Sequence, residues 1–119
     1  MYEVIPYESK SGRCPINDYM KKLTKQNKMK EIAQIKEYVR RLEEHGMAVN
    51  NTFPETIRKL RDDVYELRPG TNRVFFFYWT GKTFVLLHGY KKQSQEAPPR
   101  EIEKAVNEME DFKRRENNG

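Results

Sequence analysis

Four cationic side chains stand where predicted strands end, and their spacing suits the binding of a phosphate. Arg68 closes one strand and Arg73 opens the next, so a four-residue turn makes them neighbours across a hairpin. Lys91 and Lys92 leave the last strand, which we expect to pair beside the strand that Arg73 begins. A guanidinium fork grips two phosphodiester oxygens, and a lysine adds a point charge. The four residues therefore form a candidate phosphate site.

The same residues could cleave RNA, because RNA supplies its own nucleophile in the 2′-hydroxyl. Adjacent cations disfavour each other's protonation, so Lys91 or Lys92 could serve as the base. Arginine stays charged and would stabilise the pentavalent phosphate. Period 2 puts His88 and Tyr90 on one face with Lys92, which adds an imidazole and a phenol. The alternative is four surface cations around an ordinary sheet, with His88 as a packed strand residue.

The net charge of +5 comes from the middle of the chain. The 119 residues include 23 Lys and Arg against 18 Asp and Glu. Residues 58–95 carry eight basic and three acidic side chains, a net +5, while residues 1–57 carry +2 and residues 96–119 carry −2. Such a segment indicates either a polyanionic partner, most commonly nucleic acid, or a solvated basic face without a ligand. The remaining basic residues of the segment are predicted RNA contacts: Arg58, Lys59, Arg61 and Lys82.

Several classes of protein find no support in the sequence. It has no phosphate-binding glycine loop, nucleophile elbow or HExxH motif. The one cysteine stands far from both histidines and Asp62-Asp63 reads as a turn, so we expect neither a metal site nor a cofactor. The longest apolar run, 74–79, falls short of the ~20 residues of a membrane span. With a single cysteine and no secretory signal, these features predict a cytoplasmic protein.

Hydrophobic periodicity predicts one α+β domain over residues 1–119, in the order β-α-α-β-β-β-β-α. A strand at 1–7 is followed by two helices, from Pro15 and from Met29 to His45, which pair as a hairpin. We predict a loop at 47–55, then antiparallel strands at 57–60, 64–68, 73–80 and 83–90. Pro98-Pro99 starts the last helix, and residues 116–119 are expected to fray.

The aromatic run from Phe75 to Trp79 is apolar on both faces of its strand. Exposed aromatic side chains of a sheet can stack on bases, but a central strand covered on both sides has the same composition. Because the run leaves no polar face and the helices need a surface to cover, we interpret it as core.

Several short motifs lie between residues 64 and 105. They are Tyr65-Glu66-Leu67-Arg68, Arg73, Leu86-Leu87-His88-Gly89-Tyr90-Lys91-Lys92, Ser94-Gln95 and Pro98. Together they resemble the RelE/HigB family of toxins from type II toxin–antitoxin modules, and more narrowly its phage-derived HigB-like branch. The segment 1–46 matches that family in element order and length. The resemblance implies a RelE-like fold, an antiparallel twisted sheet with an N-terminal helical hairpin and a C-terminal helix.

The resemblance implies an mRNA interferase, an endoribonuclease that cleaves translated mRNA on the ribosome by metal-independent attack of the 2′-hydroxyl. It places Arg68 and Arg73 on the scissile phosphate and Lys91 and Lys92 in the basic pair after the last strand.

The chain departs from the best-studied RelE pattern in two places. Glu66 stands where that pattern has a lysine, and Pro98-Pro99 occupies the region of its C-terminal tyrosine. Proton transfer then falls to Glu66, His88 or Tyr90.

The resemblance also implies partners. These are the ribosome, its mRNA and a cognate antitoxin with a helix-turn-helix, through which the toxin would reach DNA only indirectly. Two alternatives stay open: a ParE-like gyrase inhibitor that cuts no RNA, and an inactive nucleic-acid-binding member. The phosphate-gripping set favours the ribonuclease, because a gyrase inhibitor has no need of it.

Overall fold

A five-stranded sheet carries helices on both faces in the computed structural model, which describes residues 1–118. The elements are β1 (Glu3–Pro6), α1 (Pro15–Lys25), α2 (Met29–His45), α3 (Val49–Thr52), β2 (Ile57–Lys59), β3 (Tyr65–Leu67), β4 (Asn72–Thr80), β5 (Thr83–Lys91) and α4 (Pro99–Asn118). A 3₁₀ turn, Gly46–Ala48, joins α2 to α3. The α+β class is confirmed, and the predicted elements follow one another as expected, with α3 as an addition.

The segment 47–55, predicted as a loop, contains the short helix α3. Val49 is fully buried in the core. The side-chain amide of Asn50 donates to the carbonyl oxygen of Ile57 at 2.9 Å and accepts from its N–H at 3.0 Å. A four-residue helix shows no periodicity in the sequence, and tertiary contacts of this kind hold it. The loop prediction was therefore wrong over 49–52.

The strand order β1-β5-β4-β3-β2 places β4 at the centre of the sheet. The strands β2 to β5 are antiparallel, as predicted. The first strand instead runs parallel to β5, with Glu3 opposite Thr83, so the sheet is mixed rather than antiparallel throughout. No local turn joins β1 to β5. The chain reaches β5 through the helices and the other strands, and this long connection allows β1 to run parallel to it. The local sequence of β1 does not encode that direction.

The sheet separates two halves of the core. Val74 and Phe76 of β4 belong to the half that α1 and α2 cover. Phe75 and Phe77 belong to the half that α4 covers. All four are fully buried, which confirms the core interpretation for Phe75, Phe76 and Phe77. Tyr78 is 42% exposed, so the interpretation was wrong at this position. Burying a phenylalanine contributes roughly 1.5–3 kcal/mol, so this strand is the main apolar support of the fold.

The last helix, α4, packs along one face of the sheet and continues to Asn118. Of residues 116–119, which were expected to fray, 116–118 are helical, and Gly119 lies outside the described residues. Among residues 1–118, no helix combines the length and apolar character needed to cross a membrane.

Candidate active site

The β3–β4 hairpin brings two arginines and a glutamate together at one end of the sheet. Glu66 is the middle residue of β3, Arg68 follows that strand, and Arg73 is the second residue of β4. Arg68 Nε lies 3.5 Å and Arg73 Nε 3.9 Å from the same oxygen, Oε1 of Glu66. We call these three residues the arginine–glutamate cluster. Both cations therefore face one carboxylate, at ion-pair rather than ideal hydrogen-bond distances.

The carboxylate at the centre of the cluster is buried. Only 3% of the Glu66 side chain is exposed, and its Oε2 has no hydrogen-bond partner in the described part of the chain. Burial raises the pKa of Glu66 above its ordinary value, against the pull of Arg73, Arg68 and Arg58. A carboxylate whose pKa is raised is a stronger base than an ordinary glutamate. Glu66 is thus the candidate acid–base group of the cluster.

The fold holds the two arginines with different firmness. Arg73 Nη1 donates to the carbonyl oxygens of Gly70 and Asn72, each at 2.8 Å. Burial lowers the pKa of Arg73, and the charge of Glu66 counteracts this. The Arg68 side chain is 19% exposed and has Glu55 3.8 Å away. Arg73 is therefore a fixed cation, and Arg68 is the more accessible one.

Tyr90 faces the cluster from the neighbouring strand. It is the register partner of Arg73 in the β4–β5 pair, and its ring lies 5.4 Å from that of Phe75, centroid to centroid. Burial, with a smaller contribution from the charge of Glu66, raises the pKa of Tyr90 to about 12. The phenol is therefore protonated at neutral pH and can donate a hydrogen bond beside the cluster.

His88 lies between the sheet and α4, and its ring is 5.1 Å from that of Phe75, centroid to centroid. His88 falls in a stretch of β5 where the pairing with β4 is irregular, between the pairs Val74–Gly89 and Phe76–Leu86. The imidazole is buried, with Nδ1 2.7 Å from a Glu108 oxygen and Nε2 2.9 Å from a Glu101 oxygen. Both ring nitrogens are thus bound to carboxylates of α4. This geometry matches the packed strand residue that the sequence offered as the alternative to a catalytic histidine.

The structure places Lys91 on the opposite face of β5 from Tyr90, and thus outside the predicted row of His88, Tyr90 and Lys92. Lys91 forms an ion pair with Glu31 of α2 and lies 3.1 Å from Thr71 Oγ1. The hydrogen bond from Lys91 is the main cause that lowers the pKa of Glu31. Lys92 follows β5, and its backbone N–H donates to the carbonyl oxygen of Thr71 at 2.8 Å. Lys91 therefore turns toward α2, whereas Tyr90 packs in the core half under α4.

One of the four predicted RNA contacts lies beside the cluster. Arg58 is the register partner of Glu66 in the β2–β3 pair and contributes to the electrostatics of that carboxylate. Its guanidinium forms an exposed ion pair with Glu96, 3.4 Å away in the segment before α4. Arg58 therefore extends the positive charge of the cluster toward the edge strand β2.

The other three predicted RNA contacts do not join the cluster. Lys59 is exposed at the end of β2, and Arg61 lies in the following turn, 3.8 Å from Asp62. Lys82 lies in the β4–β5 turn, at the opposite end of the sheet from Arg73. The length of a nine-residue strand puts these two residues roughly 25 Å apart.

A cleft of about 360 Å³ opens between the arginine pair and α2. It is lined by Gln34, Tyr38, Pro54, Glu55, Arg68, Gly70 and Arg73. Gln34 and Tyr38 do not stand out in the sequence, because both fit an ordinary amphipathic helix. Only the packing of α2 beside the β3–β4 hairpin brings them to the arginines, and the sequence carries no signal for that contact.

The described residues offer no cluster of metal ligands. Within 1–118, no three His, Cys, Asp or Glu side chains are grouped so as to hold an ion. Glu101 and Glu108 bind opposite nitrogens of His88, so they do not converge on a common point. The positive charge of the candidate site comes from its arginines.

A mixed sheet between a helical hairpin and a C-terminal helix is compatible with a RelE-like fold, and the cationic cluster at one sheet end suits a polyanionic substrate. Residues 18–110 match the model of the phage-derived Gp49-like protein family (DUF891), so the chain belongs to that family. The family lies within the RelE/HigB-like toxin superfamily, and the chain is therefore toxin-like in broad class. No curated protein matches the chain.

Proposed function

We propose that the protein is the toxin of a toxin–antitoxin pair and inhibits translation as a ribosome-dependent mRNA endoribonuclease. The observation that carries this proposal is the buried Glu66 carboxylate flanked by Arg68 and Arg73. Cleavage of RNA by its own 2′-hydroxyl needs a proton acceptor and positive charge at the phosphate. The cluster supplies both in one place.

In the proposed reaction, Glu66 accepts the proton of the 2′-hydroxyl. The 2′-oxygen attacks phosphorus, the bond to the 5′-oxygen breaks, and a 2′,3′-cyclic phosphate forms. Burial of Glu66 supports this role because it raises the pKa of the carboxyl group and so makes the carboxylate a stronger base.

The arginines would stabilise the charge that develops on the pentavalent phosphate. Arg73 is preorganised, since two backbone carbonyl groups fix its guanidinium. Arg68 is more exposed and could close on the phosphate as it leaves Glu55. Tyr90 would donate a proton to the leaving 5′-oxygen, for which its protonated state at neutral pH is required.

The ribosome and an antitoxin are the proposed partners. Family membership supports an antitoxin in general terms. The basic segment 58–95 supports contact with RNA, both mRNA and the ribosome itself.

Primer extension on cellular transcripts after brief expression tests the proposal. We expect new 5′ ends within translated regions for the wild-type protein and a strong loss of these ends for Arg73→Ala. Arg114→Ala is the matched control, because Arg114 is an exposed arginine on α4 that pairs with Asp111 outside the cluster. DNA replication arrest before any loss of protein synthesis, without new transcript ends, would instead identify a gyrase inhibitor.

A further inference from the structure

The cleft between the arginine pair and α2 is open to solvent, and its lining is mostly polar. Its volume is about 360 Å³. It brings an amide, Gln34, and an aromatic ring, Tyr38, to the same cavity as Arg68 and Arg73. Gln34 and Tyr38 could contact a base, next to the two arginines that would bind its phosphate.

The amide of Gln34 lies against the turn that also holds Arg73. Gly70 has φ +61°, a conformation that favours glycine, and a Cβ on it would come within 2.6 Å of Gln34 Oε1. The carbonyl oxygen of Gly70 accepts the hydrogen bond from Arg73 Nη1. The amide and the guanidinium therefore both lie against Gly70. An amide offers both a donor and an acceptor, as the edges of bases require.

The ring of Tyr38 is also fixed in place. The Arg41 guanidinium carbon lies 4.3 Å from the ring centroid of Tyr38 and 4.3 Å from that of Phe53. Tyr38 is half-buried and is close enough to Arg73 to act on the charge of its guanidinium. An immobilised aromatic ring beside a phosphate-binding arginine is what binding of an unpaired base uses.

One buried polar atom beside the arginine pair lacks a partner. Glu66 Oε2 forms no hydrogen bond within residues 1–118, whereas Arg68 Nε faces Glu66 Oε1 at 3.5 Å. Buried polar groups are nearly always paired. The unpaired oxygen of Glu66 is therefore an acceptor for a hydroxyl group of a ligand that the arginines hold.

We propose that the cleft binds the base of the nucleotide whose phosphate Arg68 and Arg73 hold. The ligand is one nucleoside phosphate unit of single-stranded RNA, with its base against Tyr38 and Gln34. This proposal rests on the proposed function, because it takes its ligand from the substrate of that site.

NMR-detected titration of the intact chain tests the cleft directly, with nucleoside 3′-monophosphates compared against inorganic phosphate. We expect the best nucleotide to bind roughly tenfold more tightly than phosphate, the scale of one base–aromatic contact. Gln34→Ala and Tyr38→Leu should remove most of this gain and leave the affinity for phosphate unchanged. Tyr38→Phe should keep it, because the ring remains. Gln26→Ala, an exposed amide at the end of α1, is the matched control.

Several outcomes would overturn the proposal. If nucleotides bind no more tightly than phosphate, the cleft does not bind a base, and only the phosphate site is supported. If neither nucleotides nor phosphate bind, neither site is supported. Should Tyr38→Leu fail to fold, Gln34→Ala decides the matter alone. Variants that weaken antitoxin binding but not nucleotide binding would assign the cleft to a protein partner. A mononucleotide that binds more tightly than a cleavage-blocked RNA trinucleotide would indicate a free-nucleotide site.

Discussion

Arg68 and Arg73 carry the same charge next to one carboxylate, but only Arg73 is tied to the backbone, by Gly70 and Asn72. Alanine at either position should reduce cleavage by a factor of about 10², the scale of one lost electrostatic contact in a transition state. Arg73→Ala should also cost about 1–3 kcal/mol of stability, since buried hydrogen-bonding groups lose their partner. Arg68→Ala should cost less than Arg73→Ala, because the Arg68 side chain is more exposed, 19% against 7%. Primer extension and urea unfolding measure the two effects separately.

Full toxicity of both variants at equal expression would contradict the assignment of the arginines to the phosphate. Equal stability of Arg73→Ala and the wild-type protein would contradict the tethering of its guanidinium to the hairpin turn.

The buried Glu66 carboxylate makes a second prediction, which concerns pH. Its folded-state pKa is raised, mainly by burial. Below the pKa of the unfolded chain the group is protonated in both states, so wild type and Glu66→Gln should then differ little for electrostatic reasons. As pH rises through the folded-state pKa, the wild-type protein should lose stability relative to Glu66→Gln. Urea unfolding at about pH 4 and pH 8 checks the sign. If Glu66→Gln instead loses stability relative to the wild-type protein as pH rises, the attraction of the Glu66 carboxylate to the arginines outweighs the cost of burying its charge.

At the scale of elements, His88 joins β5 to α4 through Glu101 and Glu108. His88→Ala leaves Glu108 buried beside a cavity, so we expect a loss of about 3 kcal/mol in unfolding free energy. Amide hydrogen exchange should accelerate in the first half of α4. The control is His45→Ala, since His45 is a partly exposed residue at the end of α2. A stable variant that keeps its α4 protection but loses cleavage would return His88 to the catalytic candidates.

The elements themselves were largely predictable, because their information is local. The apolar stripes of α1, α2 and α4 and the two-sided apolar pattern of β4 follow from periods of 3.6 and 2. The parallel direction of β1 and the short helix α3 were not predictable. Pairing with β5 sets the direction of β1, and the contact of Asn50 with Ile57 holds α3, and both are tertiary contacts.

The candidate site was predictable only in part. The β3–β4 hairpin makes neighbours of Arg68 and Arg73, and the sequence shows this because the turn between them is short. Alternation along β5 did not show that Lys91 would bind Glu31 or that α4 would enclose His88. These partners come from helices that are distant in sequence, and no short-range pattern announces them.

At the scale of the whole molecule, the arginines would supply the positive charge that metal ions supply in other nucleases. Cleavage should therefore survive EDTA once the magnesium requirement of the ribosome is met separately, for instance by stripping the toxin of metal before it meets intact ribosomes. The cleavage rate with stripped and untreated toxin is the measurement. Activity that returns only when a divalent metal is added to a ribosome-free reaction would contradict the prediction.

The charge of the molecule predicts how an antitoxin approaches it. With a net +5 concentrated in residues 58–95, an acidic antitoxin segment should be steered to the sheet end that holds the arginine–glutamate cluster. The association rate should fall as salt rises, since screening acts over a Debye length of ~8 Å at physiological ionic strength. Stopped-flow binding with the antitoxin of the same module measures this rate.

Two charge reversals distinguish long-range attraction of the antitoxin from direct contact of the antitoxin with the arginine–glutamate cluster. Lys92→Glu, at the end of β5 near the cluster, and Lys82→Glu, at the opposite end of the sheet, change the net charge equally. If the antitoxin covers the site, Lys92→Glu should slow association and also speed dissociation severalfold, because a contact in the complex is lost. Lys82→Glu should only slow association, because it weakens the long-range field and leaves the contacts intact. Equal dissociation rates for both variants, with neutralisation preserved, would place the antitoxin elsewhere, with the α1–α2 hairpin as the surface to map next.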